Sequence, residues 1–211
     1  MKNKKIAFLI DKSNPWIFYY YKKYCKIFFK KVKILWCTKQ LKKFDIIFVL
    51  NFTKKIPSSK INLNSLYLVI HESALPKGKG FAPIQWQILK NKKKIVFSMF
   101  KLNDKIDSGP IVMQKKLYLN GNELYDEIRY LQAKKTFQMI KEFLKKYPNI
   151  KYQTQKGRST FFKRRTHKDS ELNINKSILN QFNKLRLANN EKWPAFFVHN
   201  KKKYILKIYK K

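Results

Sequence analysis

The sequence predicts an α/β domain: a mostly parallel twisted sheet with helices on both faces. Three observations lead there. Short apolar runs of strand length recur between Ile6 and Leu119. One of them, Asp45-Ile-Ile-Phe-Val-Leu50, is apolar almost throughout, as a parallel strand covered on both faces must be. Segments with apolar residues at helical spacing alternate with these runs.

Ile6–Ile10, preceded by lysines, reads as a buried strand. Ser13-Asn14-Pro15 is a helix-start signal, and aromatic residues recur at helical spacing from Trp16 to Phe29. Val32–Trp36, Asp45–Leu50 and Leu66–Ile70 read as the next strands, the last delivering His71. Pro83 opens a helix that runs to Leu89, because proline suits the first helical turn. Lys94–Phe100 and Ile111–Leu119 read as an antiparallel pair around a turn holding Asp107 and Gly109. Asn122 to Tyr147 is the clearest helix, with Ile128, Leu131, Met139, Ile140 and Phe143 on its apolar face, Asn122 as cap and Pro148 as stop. From Lys151 the chain turns polar and basic. Asn173–Leu187 then shows helical spacing, and Ala195–Val198 and Tyr204–Ile208 flank Asn200-Lys-Lys as a hairpin. The expected organisation is a domain over residues 1–150 and a small C-terminal α+β subdomain over 151–211.

Composition narrows the function. At 44% hydrophobic residues the chain is not a disordered polycation, despite a net charge of +37. Lysine supplies all but five of the 49 basic residues and accompanies abundant Ile, Asn, Phe and Tyr. That pattern fits AT-rich codon usage better than a phosphate or base reader, which favours arginine. Such a surface still steers anionic substrates inward. Cys25 and Cys37 lack metal-ligand spacing and read as buried reduced thiols. The basic start precedes an apolar run too short for a signal peptide, and no segment reaches membrane-span length. A cytoplasmic protein without membrane contact is expected.

The chemistry concentrates in two stretches, His71-Glu-Ser-Ala-Leu-Pro-Lys-Gly-Lys-Gly80 and Ile106-Asp-Ser-Gly-Pro-Ile111. In open α/β sheets the site lies beyond the carboxyl ends of the strands, and His71 occupies such an end. A histidine and an aspartate on neighbouring loops can move a proton between an attacking amine and a leaving group. Glycines 78 and 80 let the backbone come close to whatever lies above the strand. Taken singly, His71 is a structural histidine, Asp107 a turn former, and Arg164-Arg165 a solvated basic run. Their order along the chain is what carries information.

His71, then Ser73-Ala-Leu-Pro76, a glycine loop and the Ile-Asp-Ser-Gly turn at 106–109 resemble, over about residues 45 to 120, the 10-formyltetrahydrofolate-dependent formyltransferases. That superfamily includes methionyl-tRNA, glycinamide ribonucleotide and nucleotide-sugar enzymes. Arg164-Arg-Thr-His-Lys-Asp-Ser-Glu171, Leu185-Arg186 and Trp193-Pro-Ala-Phe-Phe197 resemble the sugar-modifying branch. The resemblance implies a Rossmann-like fold and formyl transfer from 10-formyltetrahydrofolate to a primary amine, without a metal. It implies His71 and Asp107 as catalytic residues. Leu75, Pro76, Gly78, Gly80, Ser108 and Gly109 would line the cofactor, and Lys77, Lys79, Arg164 and Arg165 would face the substrate. The family asparagine two positions before the histidine is Val69 here, so one oxyanion donor is left without a residue. The expected acceptor is a nucleotide-linked amino sugar destined for surface glycan. Two alternatives stand beside it. One is methionyl-tRNA formylation, which the charge favours and a 60-residue tail opposes. The other is a non-catalytic nucleic-acid-binding protein on the same scaffold. Exposed aromatics in the tail would point to a homodimer.

Overall fold

The computed structural model describes residues 4–211. The sequence expectation for the N-terminal basic start falls partly on residues 1–3, outside the described residues. Six strands form the central sheet: β1 (Ile6–Ile10), β2 (Lys33–Leu35), β3 (Ile46–Leu50), β4 (Leu66–His71), β6 (Lys94–Lys101) and β7 (Ile111–Tyr118). Their spatial order is β2-β1-β3-β4-β6-β7. The four strands on the β2 side are parallel, and β6 runs antiparallel to both β4 and β7. The direction of the chain across the sheet reverses between β1 and β3, which places a crevice at their carboxyl ends.

Side-chain alternation sends successive strand residues to opposite faces. Phe8, Phe48, Leu68 and Ile70 pack with α1 (Trp16–Tyr20), α2 (Pro83–Leu89) and α3 (Tyr125–Lys146). Leu9, Ile47, Val49 and Tyr67 face the other way, onto Leu41 and short 3₁₀ turns at residues 38–43 and 58–60. His71 shares the parity of Tyr67 and Val69, whereas Glu72 shares that of Leu68 and Ile70.

Four expectations are corrected. The helix expected over Trp16–Phe29 is α-helical only to Tyr20, then widens to a π turn (Tyr21–Cys25) and tightens to 3₁₀ (Lys26–Phe29). The wide turn keeps Ile17, Tyr21 and Phe29, four and then eight residues apart, against Phe8 and Phe137. The helix expected over Asn173–Leu187 shrinks to a 3₁₀ turn (Leu179–Gln181) and α4 (Phe182–Arg186). Asn173 Oδ1 and Ser177 Oγ accept nearby backbone N–H groups there, the competition that polar side chains offer to a helix. As a result Ile174 and Ile178 are exposed rather than packed. Asn122 does not cap α3; Leu124 precedes the first turn, and Glu127 Oε2 accepts the Leu124 N–H at 2.8 Å. Cys37 is exposed, not buried.

Residues 151–211 return to the sheet. β8 (Phe161–Phe162) pairs in parallel with β5 (Lys79–Gly80), inside the glycine loop after His71. β9 (Ala195–His199) and β10 (Lys202–Leu206) form the hairpin, turning through Asn200 and Lys201, both at positive φ. Leu172, Leu185, Ala188 and Ala195 make a small separate core beneath it. A buried ion pair joins this region to the sheet domain: Arg186 Nη1 donates to the Glu123 carbonyl at 3.0 Å and lies 3.3 Å from its Oε2.

Candidate active site

His71, the last residue of β4, is buried. Its Nε2 lies 2.8 Å from the Gly78 carbonyl oxygen. A carbonyl only accepts, so this nitrogen carries the hydrogen and Nδ1 is the ring nitrogen left for chemistry. Nδ1 faces Asp107 Oδ2 at 3.7 Å, too long for a direct hydrogen bond. The same Oδ2 accepts the Gly80 N–H at 2.8 Å, which fixes the carboxylate. Asp107 itself is at positive φ, a backbone position that a short polar side chain tolerates. The two loops that the sequence singles out therefore meet, and each orients the other's functional group.

The glycines close this arrangement rather than line an open cleft. A Cβ at Gly80 would sit 2.5 Å from the Phe162 carbonyl oxygen, and one at Gly78 would sit 2.7 Å from the Phe162 ring. A Cβ at Gly109 would overlap the Lys101 carbonyl. Lys79 is buried and donates to Ser108 Oγ at 2.7 Å, and Ser108 Oγ donates to the Ile106 carbonyl. Lys79 and Ser108 thus tie the two loops to each other. Lys77 is exposed, and Leu75 is buried with Phe100 and Ile111. Half-buried Pro76 follows Leu75 in the same loop.

Arg164 and Arg165 arrive on the segment after β8. The Arg164 guanidinium covers the Phe81 ring at 4.4 Å, one residue beyond Gly80. Arg165 is half-buried, its Nη2 3.4 Å from Ser170 Oγ and from the Asp169 carbonyl, and burial holds its pKa below the ordinary value.

Several polar groups had no sequence signal. Gln155 Nε2 donates to the carbonyls of Asp107 and Gly109, fixing the aspartate turn from the tail. Ser98 Oγ donates to the Ser73 carbonyl, and Gln114 donates to Ser98. At the crevice between β1 and β3, Asp11 accepts from the backbone and hydroxyl of both Ser13 and Thr53. Burial pushes its carboxyl up, but these bonds outweigh it and lower the pKa to about 2. A short acidic-x-serine step after an apolar strand was the one legible hint of that turn.

A model of the formyl transferase family matches residues 37–143. The chain belongs to the formyl transferase family. Methionyl-tRNA formyltransferase of Thermosipho melanesiensis is 31% identical over 146 residues, covering 67% of this chain and 46% of that protein. The chain spans about half the length of the curated relatives it matches. The solved methionyl-tRNA formyltransferase from Clostridium thermocellum superposes with a TM-score of 0.81 at 25% identity, covering 98% of this chain and 92% of that one. A sugar N-formyltransferase from Shewanella superposes at 0.66 and 14% identity, covering 97% of both chains, a likeness of fold.

Family membership implies a reduced-folate formyl donor, and the site fits one. Buried Ser73 Oγ and Gln155 Oε1 lack a partner, and they sit beside the two loops that carry His71 and Asp107. Val69, Leu75, Phe100 and Ile111 form an adjoining apolar wall. Unpaired polar atoms beside an apolar surface suit a flat heterocycle with a donor-acceptor edge. Among the described residues no group of three or more His, Cys, Asp or Glu could hold a metal, and no helix is long and apolar enough to cross a membrane.

Proposed function

We propose that this formyl transferase moves a formyl group from 10-formyltetrahydrofolate to the primary amine of a nucleotide-linked sugar. The observation that carries the reading is the docking of the tail on the catalytic loop. β8 pairs with β5, so the Arg164–Glu171 segment, the part that resembles the sugar-modifying branch, lies next to Gly80 and Phe81. Arginines there are suited to the phosphates of a nucleotide.

The bound folate supplies an activated formyl carbon. The chain's residues do the rest. His71 Nδ1, aimed at Asp107, donates to the oxygen on which negative charge develops, while Nε2 stays anchored on Gly78. Asp107, itself held by the Gly80 N–H, lies 3.7 Å from that nitrogen and steadies its hydrogen through charge rather than through a direct hydrogen bond. Leu75, Pro76 and Ile111 shield the reacting carbon from water. Val69 occupies the asparagine position in β4 and presents hydrocarbon there, so the second oxyanion donor is a group off the strand; Ser73 Oγ, buried and unpaired, is the nearest fit. Gln155, Ser108 and Lys79 position the aspartate turn.

The identity of the curated relatives favours methionyl-tRNA as a second acceptor reading. One assay separates the two. The full chain is incubated with 10-formyltetrahydrofolate and either nucleotide-linked amino sugars or charged initiator tRNA, and formylated product is detected by mass. Formylated sugar supports the first reading, formyl-methionyl-tRNA the second. Absence of both products contradicts formyl transfer.

A further inference from the structure

The connection between β1 and β2 carries a surface that formyl transfer does not use. Residues 12–44 hold ten lysines and no aspartate or glutamate. Within them, Lys22, Lys23, Lys26 and Lys30 line a cavity of about 570 Å³ together with Tyr24 and Ile27. All six residues are exposed.

The apolar members are out of place for a regular helix. At about 100° per residue, an α-helix would bring Tyr24 and Phe28 within about 20° of Ile17 and leave Phe29 about 120° away. The π turn and the 3₁₀ turn reverse that order. Ile17, Tyr21 and Phe29 are buried, Cys25 is half-buried, and Tyr24 and Phe28 turn outward. Ile27 is 68% exposed and Phe28 61%. α3 extends this surface: Lys141 Nζ lies 4.0 Å from the centre of the Phe28 ring, Tyr24 meets Tyr130 edge-on at 5.2 Å, and Lys134 stands over Tyr130. Glu142, next to Lys141, is already paired with Lys115 and Lys146.

Charge alone does not set this surface apart in a chain of net charge +37. Its combination with protruding hydrocarbon does. Lysines ringed about isoleucine, phenylalanine and tyrosine match the layering of an anionic bilayer, with phosphate headgroups outside and acyl chains beneath. A nucleic acid fits less well. Base stacking needs aromatic faces; Ile27 has none, and Lys141 occupies one face of Phe28. Phosphate readers favour arginine, and no arginine precedes Arg129.

Topology separates the surface from catalysis. β1 and β2 are parallel, so the chain leaves β1 at its carboxyl end and must return to the amino end before Lys33. Lys26–Phe29 complete that return. His71 ends β4 at the opposite, carboxyl end of the same parallel strands. A partner held at the amino end leaves the His71 loop open to soluble substrates.

We infer that residues 22–30, with Lys134 and Lys141 of α3, dock this protein on an anionic phospholipid membrane. Ile27 and Phe28 enter the interface, and the lysines meet the phosphate headgroups. The inference does not rest on the formyl-transfer reading.

The test floats the full chain with vesicles of phosphatidylcholine alone or mixed with phosphatidylglycerol. Three variants are compared. One is Ile27→Ser with Phe28→Ser. The second carries Lys22→Gln, Lys23→Gln, Lys26→Gln and Lys30→Gln. The third removes the same charge elsewhere, through Lys151→Gln, Lys156→Gln, Lys176→Gln and Lys202→Gln. All these positions are exposed, and circular dichroism checks that the fold is kept. The native chain should bind the mixed vesicles at least about 10-fold more tightly than the neutral ones. The serine pair should lose about 10-fold or more, from hydrocarbon no longer buried. Loss of the four patch lysines should cost more than about 10²-fold, at about fivefold each, and the distant four no more than about threefold. Failure of the native chain to bind mixed vesicles overturns the inference. So does an unchanged affinity in the serine pair, or equal losses from the two lysine sets. Binding of a single-stranded RNA oligonucleotide is measured on the same proteins. RNA binding that the patch variants abolish, without vesicle binding, overturns the membrane and assigns the surface to nucleic acid.

Discussion

Asp107 Oδ2 stands 3.7 Å from His71 Nδ1 and accepts the Gly80 N–H at 2.8 Å. The aspartate is thus fixed by the loop that follows the histidine. Asp107→Asn keeps the shape but offers an amide to the Gly80 N–H or to Nδ1. Turnover should fall roughly 10²-fold to 10⁴-fold, the range for a lost acid–base group, with circular dichroism unchanged. Near-native turnover would remove Asp107 from the mechanism.

Gly109 passes so close to Lys101 that a methyl group would overlap its carbonyl. Gly109→Ala should cost about 3 kcal/mol or more in chemical denaturation, the scale of a severe steric substitution. The effect should fall on stability as well as on turnover, because the strain enters where β6 meets the Asp107 turn. A variant as stable as the native protein would show that this turn has room to move.

The buried Arg186–Glu123 pair fastens the tail to the start of α3. Burial pulls the Arg186 pKa down, and burial alone would raise that of Glu123. The N–H groups of Asn120 and Gly121, with Arg186, outweigh that and hold it low. Arg186→Met strands the carboxylate and should cost about 3–5 kcal/mol, whereas Arg186→Met with Glu123→Leu should regain much of it. Urea unfolding of both variants checks the cycle. A double variant no better than the single would mean that the carbonyl contact, not the charge pair, carries the link.

Asp11 adds a pH dependence. Its folded pKa of about 2 lies below the unfolded value near 3.8, so its stabilisation is complete above about pH 4 and fades as pH falls to 2. Asp11→Asn should lose about 2 kcal/mol at neutral pH, and the gap from native should narrow through that acid window. A gap independent of pH from 5 to 2 would assign the loss to packing instead.

The central sheet was legible because its strands are continuous apolar runs and α3 repeats at helical period. The site was legible as two motifs, since His71 and the Asp107 turn lie in compact, spaced stretches. What escaped had a nonlocal cause. Gln155, Thr160 and Phe162 act on the glycine loop from the tail, and nothing near them in sequence marks that contact. Glycines 78 and 80 are also required by close packing on Phe162, and Gly109 by close packing on Lys101, contacts that no local spacing marks. The helix expected from Asn173 does not form because the asparagine and serine side chains between its apolar residues bond the backbone. Lys79 illustrates the limit of reading charge: a lysine in a basic loop became a buried strut on Ser108.

The most direct test of the central claim is mass-spectrometric detection of the acceptor after incubation with 10-formyltetrahydrofolate, run in parallel on the native chain and His71→Asn. The account predicts a nucleotide-linked amino sugar one formyl group heavier, formed by the native chain and almost absent with the variant. Equal formylation by both proteins, or none with any amino sugar offered to the native chain, would contradict it.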